Sequence, residues 1–389
     1  MIRRSRPPSP DAFLRPALAG TAATFCGIGL ARFAYVPLFP AMVAAGWVSG
    51  AQAGFLGAVN LAGYLVGVLS GRRLASRITT SRALDLGMFL AVAGFAACSW
   101  NGGLGWLAAW RGLAGLAGGI LMALAGPAVQ GAVSPKSRGR AGGVVIAGVG
   151  GGVIVGALGV PALLANGLPV AWLGLAALAV GLWAFAHPRW PSSLVARFKG
   201  QTLPFDARVL YWLYGLAGAG MVPHMVYFVD LGVRGRGLDA QTGALTWLLF
   251  GIGAILGTLL GGRAADRLGG VRALRLWLAC QAMGVAVALL PGVAVLVPSA
   301  LLGGFGGIGI TAVALARARE LAGAGAGLIW VRATALFAVA QAVTAFALTF
   351  LFARTGSHDA LFGAALILSI GALLVSFRRE SIFPRRHST

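Results

Sequence analysis

Twelve apolar runs, each about the length of a bilayer-crossing helix, constrain this chain more than any other feature. They lie roughly at 17–39, 52–70, 83–99, 104–128, 142–164, 169–187, 208–229, 243–261, 273–290, 294–315, 326–352 and 359–377 of 389 residues. A bilayer core about 30 Å thick takes about 20 residues of helix. The runs are continuous rather than alternating with a period of two, which excludes a β-barrel. Only 10% of the residues are charged, against about 25% in a soluble domain. The chain therefore reads as an all-α, multi-pass membrane protein. Its 61 glycines fit that reading, because small residues let helices approach closely where no hydrophobic effect drives them together.

The charge distribution sets the expected orientation. Lys and Arg number 31 and the formal net charge is +22, which in a soluble protein suggests nucleic acid. Here 25 of the 31 fall in alternate connections that begin with the N-terminal segment. The opposite set holds only Arg234, Arg236 and Arg354, and Arg32, Arg111 and Arg332 lie inside runs. This asymmetry places both termini in the cytoplasm and requires an even number of spans. The basic loops then face anionic lipids of the cytoplasmic leaflet, and no nucleic-acid partner is needed. The start MIRRSRPPSP reads as a cytoplasmic tail rather than a cleavable signal. Cys26, Cys98 and Cys280 all fall in apolar runs, as small buried hydrophobes without a disulfide framework. The expected location is the cell inner (plasma) membrane.

The longest polar connection, roughly 188–207, divides the spans six and six. The expected units are an N-terminal half, 1–187, with a tail at 1–16; a cytoplasmic linker, 188–207; and a C-terminal half, 208–389, with a tail at 378–389. GYLVGVLSGRRLASRITTSRALDL (63–86) aligns without gaps on GAILGTLLGGRAADRLGGVRALRL (253–276), at an offset of 190. Eleven of 24 positions are identical. Two parallel six-helix repeats related by an axis along the membrane normal form a transporter architecture, with the substrate near the midplane between them.

The loop after span 8, with Gly257, Gly261, Asp266, Arg267, Gly269 and Arg272, resembles the signature loop of the major facilitator superfamily. The loop after span 2 repeats Gly67, Gly71, Arg73, Arg77 and Arg82 but has Ser76 where the family usually carries Asp. Arg111 and Gly115 on span 4 are similar to the family's Arg-x-x-x-Gly motif, whereas span 5 lacks the Gly-Pro pair of the antiporter motif. GIGLARFAYVPLFPAM, the Asn60–Tyr64 stretch, YGLAGAGMVPH and ATALFAVAQA resemble the bacterial YbfB/YjiJ-type branch over residues about 20–375. The resemblance implies the major facilitator fold, secondary transport by alternating access, and cytoplasmic gate loops at Gly71, Arg73, Arg77, Gly261, Arg263, Asp266 and Arg267.

Polar residues inside spans mark the candidate substrate cavity: Arg32, Tyr35, Asn60, Arg111, His224 and Gln341. An arginine at the centre of a membrane helix costs about 2.5–3.5 kcal/mol on insertion scales. Arg32 stands eight residues before Pro40, about 12 Å along a helix axis, too far for easy snorkelling. It either contacts substrate or is satisfied by carbonyls and water in the bundle. Tyr35 shares its face at helical spacing. Pro37 frees the carbonyl of Phe33, which predicts an irregular helix beside protein or water. Arg111 either handles substrate or orients its helix. His224 is either a proton carrier or a packed core residue. Asn60 and Gln341 are either interhelical glue or ligand contacts. Arg332, near the cytoplasmic end of span 11, snorkels inward.

No carboxylate lies in the middle of a span. The core thus holds arginines without acids to neutralise them, and an unpaired buried charge is expensive. An anionic or otherwise hydrogen-bond-accepting organic solute would compensate. Coupling through a membrane Asp or Glu is disfavoured, leaving His224, simple exchange, or interface carboxylates such as Asp85 and Asp230. Catalytic signatures are missing: a Gly304, Gly306, Gly309 string lies within span 10 with no preceding strand, so it reads as helix packing rather than a nucleotide loop. The expected protein is a monomeric secondary transporter without cofactor or metal and not an enzyme. A transporter-like sensor, receptor or channel is the alternative.

Overall fold

The computed structural model describes residues 14–134, 138–191, 205–322 and 326–377. Among these residues there are no strands, and twelve helices are long and apolar enough to cross a membrane. They are α1 (Leu14–Ala44), α2 (Gly50–Ile78), α3 (Thr80–Ala97), α4 (Gly103–Ala132), α5 (Ala141–Leu164), α6 (Leu168–Arg189), α7 (Ala207–Gly235), α8 (Ala240–Leu268), α9 (Gly270–Ala288), α10 (Leu296–Ala322), α11 (Leu328–Thr355) and α12 (His358–Phe377). Most of the tail at 1–16, most of the linker and the whole tail at 378–389 lie outside the described residues.

Several helices outrun their apolar cores. The last two turns of α2 carry Arg72, Arg73 and Arg77, and those of α8 carry Arg263, Asp266 and Arg267. The expected gate loops are therefore helical turns, with Arg73, Arg77, Arg263, Asp266 and Arg267 exposed and Gly71 and Gly261 buried in helix contacts.

The 190-residue repeat extends to the helix caps. Ser49 opens α2 with a capping box to Gln52, and Asp239 opens α8 by accepting from the Thr242 N–H at 2.9 Å. These side chains satisfy orphan N–H groups at the first turn. Thr79 and Gly269 terminate the same two helices at φ +83° and +81°. The first crossing in each half is made backbone to backbone. A Cβ on Gly63 or Gly67 would overlap carbonyls of α4, and one on Gly115 or Gly119 carbonyls of α2. Gly253, Gly257 and Gly304 pack the α8–α10 crossing in the same way.

Between halves, α2 packs on α11 and α8 packs on α5, with α1 against α7. A shift of 190 residues exchanges the first two pairs, so the halves are related by a pseudo-twofold axis. Twelve successive crossings return the described ends of the chain to one face, the terminal face.

Candidate functional site

Arg32 sits at the end of an unusual segment of α1. Leu14–Thr24 and Tyr35–Ala44 are α-helical, but Phe25–Phe33 is a π-helix, and the Ala34 N–H reaches the Gly29 carbonyl at 3.1 Å. Wide turns of this kind cluster at functional sites. Glycine permits it here: Gly29 lies against Gly152 of α5 and Gly27 against Gly118 of α4, with no room for β-carbons. The expected irregularity is thus present, but it precedes Pro37 instead of centring on it. The Phe33 carbonyl, which Pro37 cannot serve, accepts from Trp247 Nε1 of α8 at 3.1 Å. That bond ties the two halves together.

The arginine points into a central cavity of about 40 Å³ between the halves, room for a few waters. Its Nη1 donates to Gln341 Oε1 on α11 at 3.3 Å, and its guanidinium carbon lies 4.2 Å from the Tyr64 ring centroid. Nε and Nη2 are buried without a hydrogen-bond partner. Tyr214 stacks on Phe337 at 4.3 Å and its hydroxyl donates to Thr311 at 3.2 Å. The Thr334 hydroxyl, also in the lining, has no partner. The remaining wall is apolar, including Ile28, Met122, Val149 and Met221.

Among the described residues no carboxylate lines this cavity, and the acids are engaged elsewhere. Asp85 accepts from Trp183 and Trp190 at 2.8 and 2.7 Å and pairs with His187 at 2.9 Å. Glu320 accepts from the Gly270 N–H at 2.7 Å and from Arg317 at 2.9 Å. Asp266 lies within electrostatic reach of Arg319. Asp230 is fully buried in α7, where it accepts from Arg234 Nε and Nη2 at 2.5 and 2.9 Å and pairs with His358 at 2.7 Å. It stands five residues before the end of α7 at Gly235.

Of the six candidate cavity residues, the structure brings Arg32 and Gln341 together in the lining. Tyr35, Asn60 and Arg111 form a separate knot behind Arg32. Arg111 Nη1 donates to the Ala31 carbonyl at 2.8 Å, and Asn60 Nδ2 donates to the Ala31 and Arg111 carbonyls at 3.4 and 3.0 Å. Tyr35 donates to the Ala53 carbonyl at 2.8 Å, and its ring lies 4.3 Å from the Arg111 guanidinium carbon. The reason is phase: a π-segment spends extra residues per turn, so Tyr35 does not share the face of Arg32. His224 is also away from the cavity. It pairs with Ser299 at 3.0 Å and stacks on Phe228 and Phe250. Arg332 is exposed, as expected.

Tyr64, Tyr214, Thr311, Thr334 and Phe337 escaped the sequence reading. One signal was available: all five tyrosines fall in spans 1, 2 and 7.

The face opposite the chain ends is sealed between the halves. Phe39 meets Tyr227 at 5.5 Å and Phe55 meets Phe346 at 6.0 Å across the halves, and within the C-terminal half Phe352 backs Tyr227 at 5.3 Å. Gly54 lies against the Tyr227 hydroxyl and Gly50 against the Arg234 guanidinium, with no space for a β-carbon.

No curated protein matches this chain. Its structure is similar to the partially occluded inward-open conformation of the xylose transporter XylE from E. coli. The TM-score is 0.75, with 96% of this chain and 100% of that chain covered, at 14% sequence identity. That likeness carries the fold. Residues 24–376 match the family described as uncharacterised MFS-type transporter YbfB, and over that length the chain belongs to this family of major facilitator transporters.

Proposed function

We propose that this transporter moves a small organic solute, anionic or rich in hydrogen-bond acceptors, by alternating access through the cavity at Arg32. The observation that carries the proposal is the state of the guanidinium. Two of its buried nitrogens, Nε and Nη2, have no partner, and no described carboxylate faces it. A buried unsatisfied donor costs about 1–3 kcal/mol, more when charged. A carboxylate-bearing solute would satisfy both donors at once, in the geometry guanidinium groups favour. Tyr64, Tyr214 and Phe337 offer the rest of such a solute an aromatic wall, and Thr334 offers a free hydroxyl.

In this picture the terminal face is cytoplasmic, as the basic connections require. The sealed far face and a cavity displaced toward Tyr214, Thr334 and Phe337 correspond to a state facing the cytoplasm. Rocking of the halves about the α2–α11 and α5–α8 contacts would open the other side.

A thermal-shift panel tests the solute class. Purified protein is screened with carboxylates, each paired with its neutral amide or alcohol. A ligand at 100 times its Kd stabilises by about 2.7 kcal/mol. Carboxylates are expected to raise the melting temperature above their neutral partners. Equal or greater stabilisation by the neutral compounds would overturn the anion assignment.

A further inference from the structure

A second polar site lies on the far face, remote from Arg32. A cavity of about 580 Å³ opens there, lined by Arg234, Arg236, His358 and Asp359 together with apolar and backbone groups. Behind His358 and Arg234, Asp230 is completely buried. As an ionised carboxylate it only accepts hydrogen bonds, so His358 must present Nε2–H to it across their 2.7 Å contact. The neutral ring then carries its lone pair on Nδ1, which makes no hydrogen bond to any described residue. The ring itself lines the cavity. This is how a carboxylate fixes a histidine tautomer and leaves the other nitrogen basic.

Asp230 also holds Arg234 with two hydrogen bonds. Arg234 in turn reaches across to the other half. It rests on Gly50 at the start of α2 and lies 5.9 Å from the Phe39 ring of α1 and 5.9 Å from Phe352 of α11. The same carboxylate therefore serves a buried histidine on the cavity wall and an arginine that reaches α1 and α2 of the other half.

We propose that His358 is a proton-binding site on the far face and that its occupancy is coupled to opening of that face. The inference rests on the alternating-access reading but not on any substrate. With His358 neutral, Asp230 and Arg234 sum to zero charge. A proton from the outer cavity, taken up at Nδ1, makes an imidazolium that competes with Arg234 for one carboxylate. Asp230 and His358 are buried and Arg234 is partly exposed, so the added positive charge is costly at the desolvated carboxylate–imidazole pair and is relieved by further hydration when the halves part. Proton uptake and far-face opening thus favour each other.

The other charged and titratable groups around the pair are few. From α7 comes Tyr227, and from the position just after that helix comes Arg236. Arg236 donates to the Ala288 and Gly292 carbonyls and faces Asp359 of α12, so those two charges offset each other. Tyr227 and, from α1, Tyr35 lie within electrostatic reach of Asp230. Arg354 of α11 sits over the Phe350 ring, and the α9–α10 connection brings only Leu289, Leu290 and Pro291 to the cavity.

Double electron–electron resonance between spin labels tests the coupling without a substrate. Ala45 and Thr355, both exposed on the far face in opposite halves, are replaced by labelled cysteine, with Cys26, Cys98 and Cys280 changed to alanine. As pH falls from 8 to 5, the long-distance population of the full-length protein is expected to grow. One linked proton allows at most about a tenfold change in the open-to-closed ratio per pH unit. His358→Gln keeps a donor for Asp230 but cannot be protonated, and its ratio is expected to stay flat. Two populations with a pH-independent ratio in the parent protein would overturn the coupling and leave alternating access standing. A single distance at every pH would contradict both. A pH response that survives in His358→Gln would overturn the assignment to His358. The parent profile stands on its own if that variant fails to fold.

Discussion

Gly115→Ala is the sharpest test of how the fold holds its arginines. The residue lies on α4, one turn after Arg111, against the backbone of α2. An added Cβ would overlap the Asn60 carbonyl oxygen and stand 2.8 Å from its carbon and 3.0 Å from the Asn60 Cα, where ordinary contact is 3.4–4 Å. Backbone cannot swing aside as a side chain can, so α2 and α4 must part. The Asn60–Ala31 bond is already 3.4 Å long and would fail first. Overpacking of this kind costs about 1–3 kcal/mol, and an interhelical hydrogen bond in a membrane protein adds about 0.6 kcal/mol. Alanine returns up to about 1 kcal/mol of helix propensity. The net expectation is a loss of roughly 0.5–2.5 kcal/mol. Gly126→Ala is the internal control, because its Cβ would have nothing within 4 Å, so it should gain up to about 1 kcal/mol. Thermal unfolding of both variants in one detergent reads the difference, which at about 2–4 °C per kcal/mol amounts to several degrees. Gly304→Ala, whose Cβ would overlap the Phe250 carbonyl, should behave like Gly115→Ala. If Gly115→Ala melts with Gly126→Ala, the backbone-contact account of these crossings is wrong.

Three further outcomes follow from the geometry. Thr79 holds φ +83° where the matching residue of the second repeat is Gly269 at +81°; such strain costs a β-branched residue about 1–3 kcal/mol, so Thr79→Gly should raise the melting temperature, and a fall would contradict the strain. His224→Phe preserves the ring stack and leaves Ser299 its 2.8 Å bond to the Gly284 carbonyl, so uptake and its pH profile should persist; a lost pH dependence would reinstate His224 as a proton carrier. Asp266→Asn removes the charge facing Arg319 and should lower turnover in reconstituted vesicles while KM holds, whereas an unchanged turnover would remove Asp266 from the cycle.

The parts of this architecture that depend on long patterns could be read from the chain. Apolar run length counted the helices, and the offset of 190 residues identified the repeat over 63–86 and 253–276, while its extension to Ser49 and Asp239 as matching caps came only from the folded chain. Helix ends were less legible, since α2 and α8 continue through Arg73 and Arg263 once their neighbours supply packing. Arg32 and Gln341 were legible as cavity residues because each is a polar side chain in an otherwise apolar stretch. Tyr35, Asn60 and Arg111 carry the same signal yet turn toward Ala31 and Ala53. Which face a residue takes depends on the π-segment at Phe25–Phe33, and nothing in a 3.6-residue period announces it. Tyr64, Tyr214 and Phe337 were hidden for a different reason, since aromatic residues line cores and cavities alike. The Asp230–His358 pair is non-local, joining residues 128 positions apart, and only the folded chain brings it together.

The central claim is that the Arg32 guanidinium recognises the solute through Nε and Nη2, which have no hydrogen-bond partner. Calorimetric titration of the strongest carboxylate from the thermal panel into the parent protein, Arg32→Lys and Arg32→Gln tests it most directly. Truncating one member of a buried, hydrogen-bonded charge pair costs about 2–5 kcal/mol, and each 1.4 kcal/mol is about tenfold in affinity. Arg32→Gln should therefore weaken binding by about 30-fold or more, with Arg32→Lys recovering part of the loss through its charge. A change of less than about threefold in an Arg32→Gln protein that melts like the parent would contradict the account.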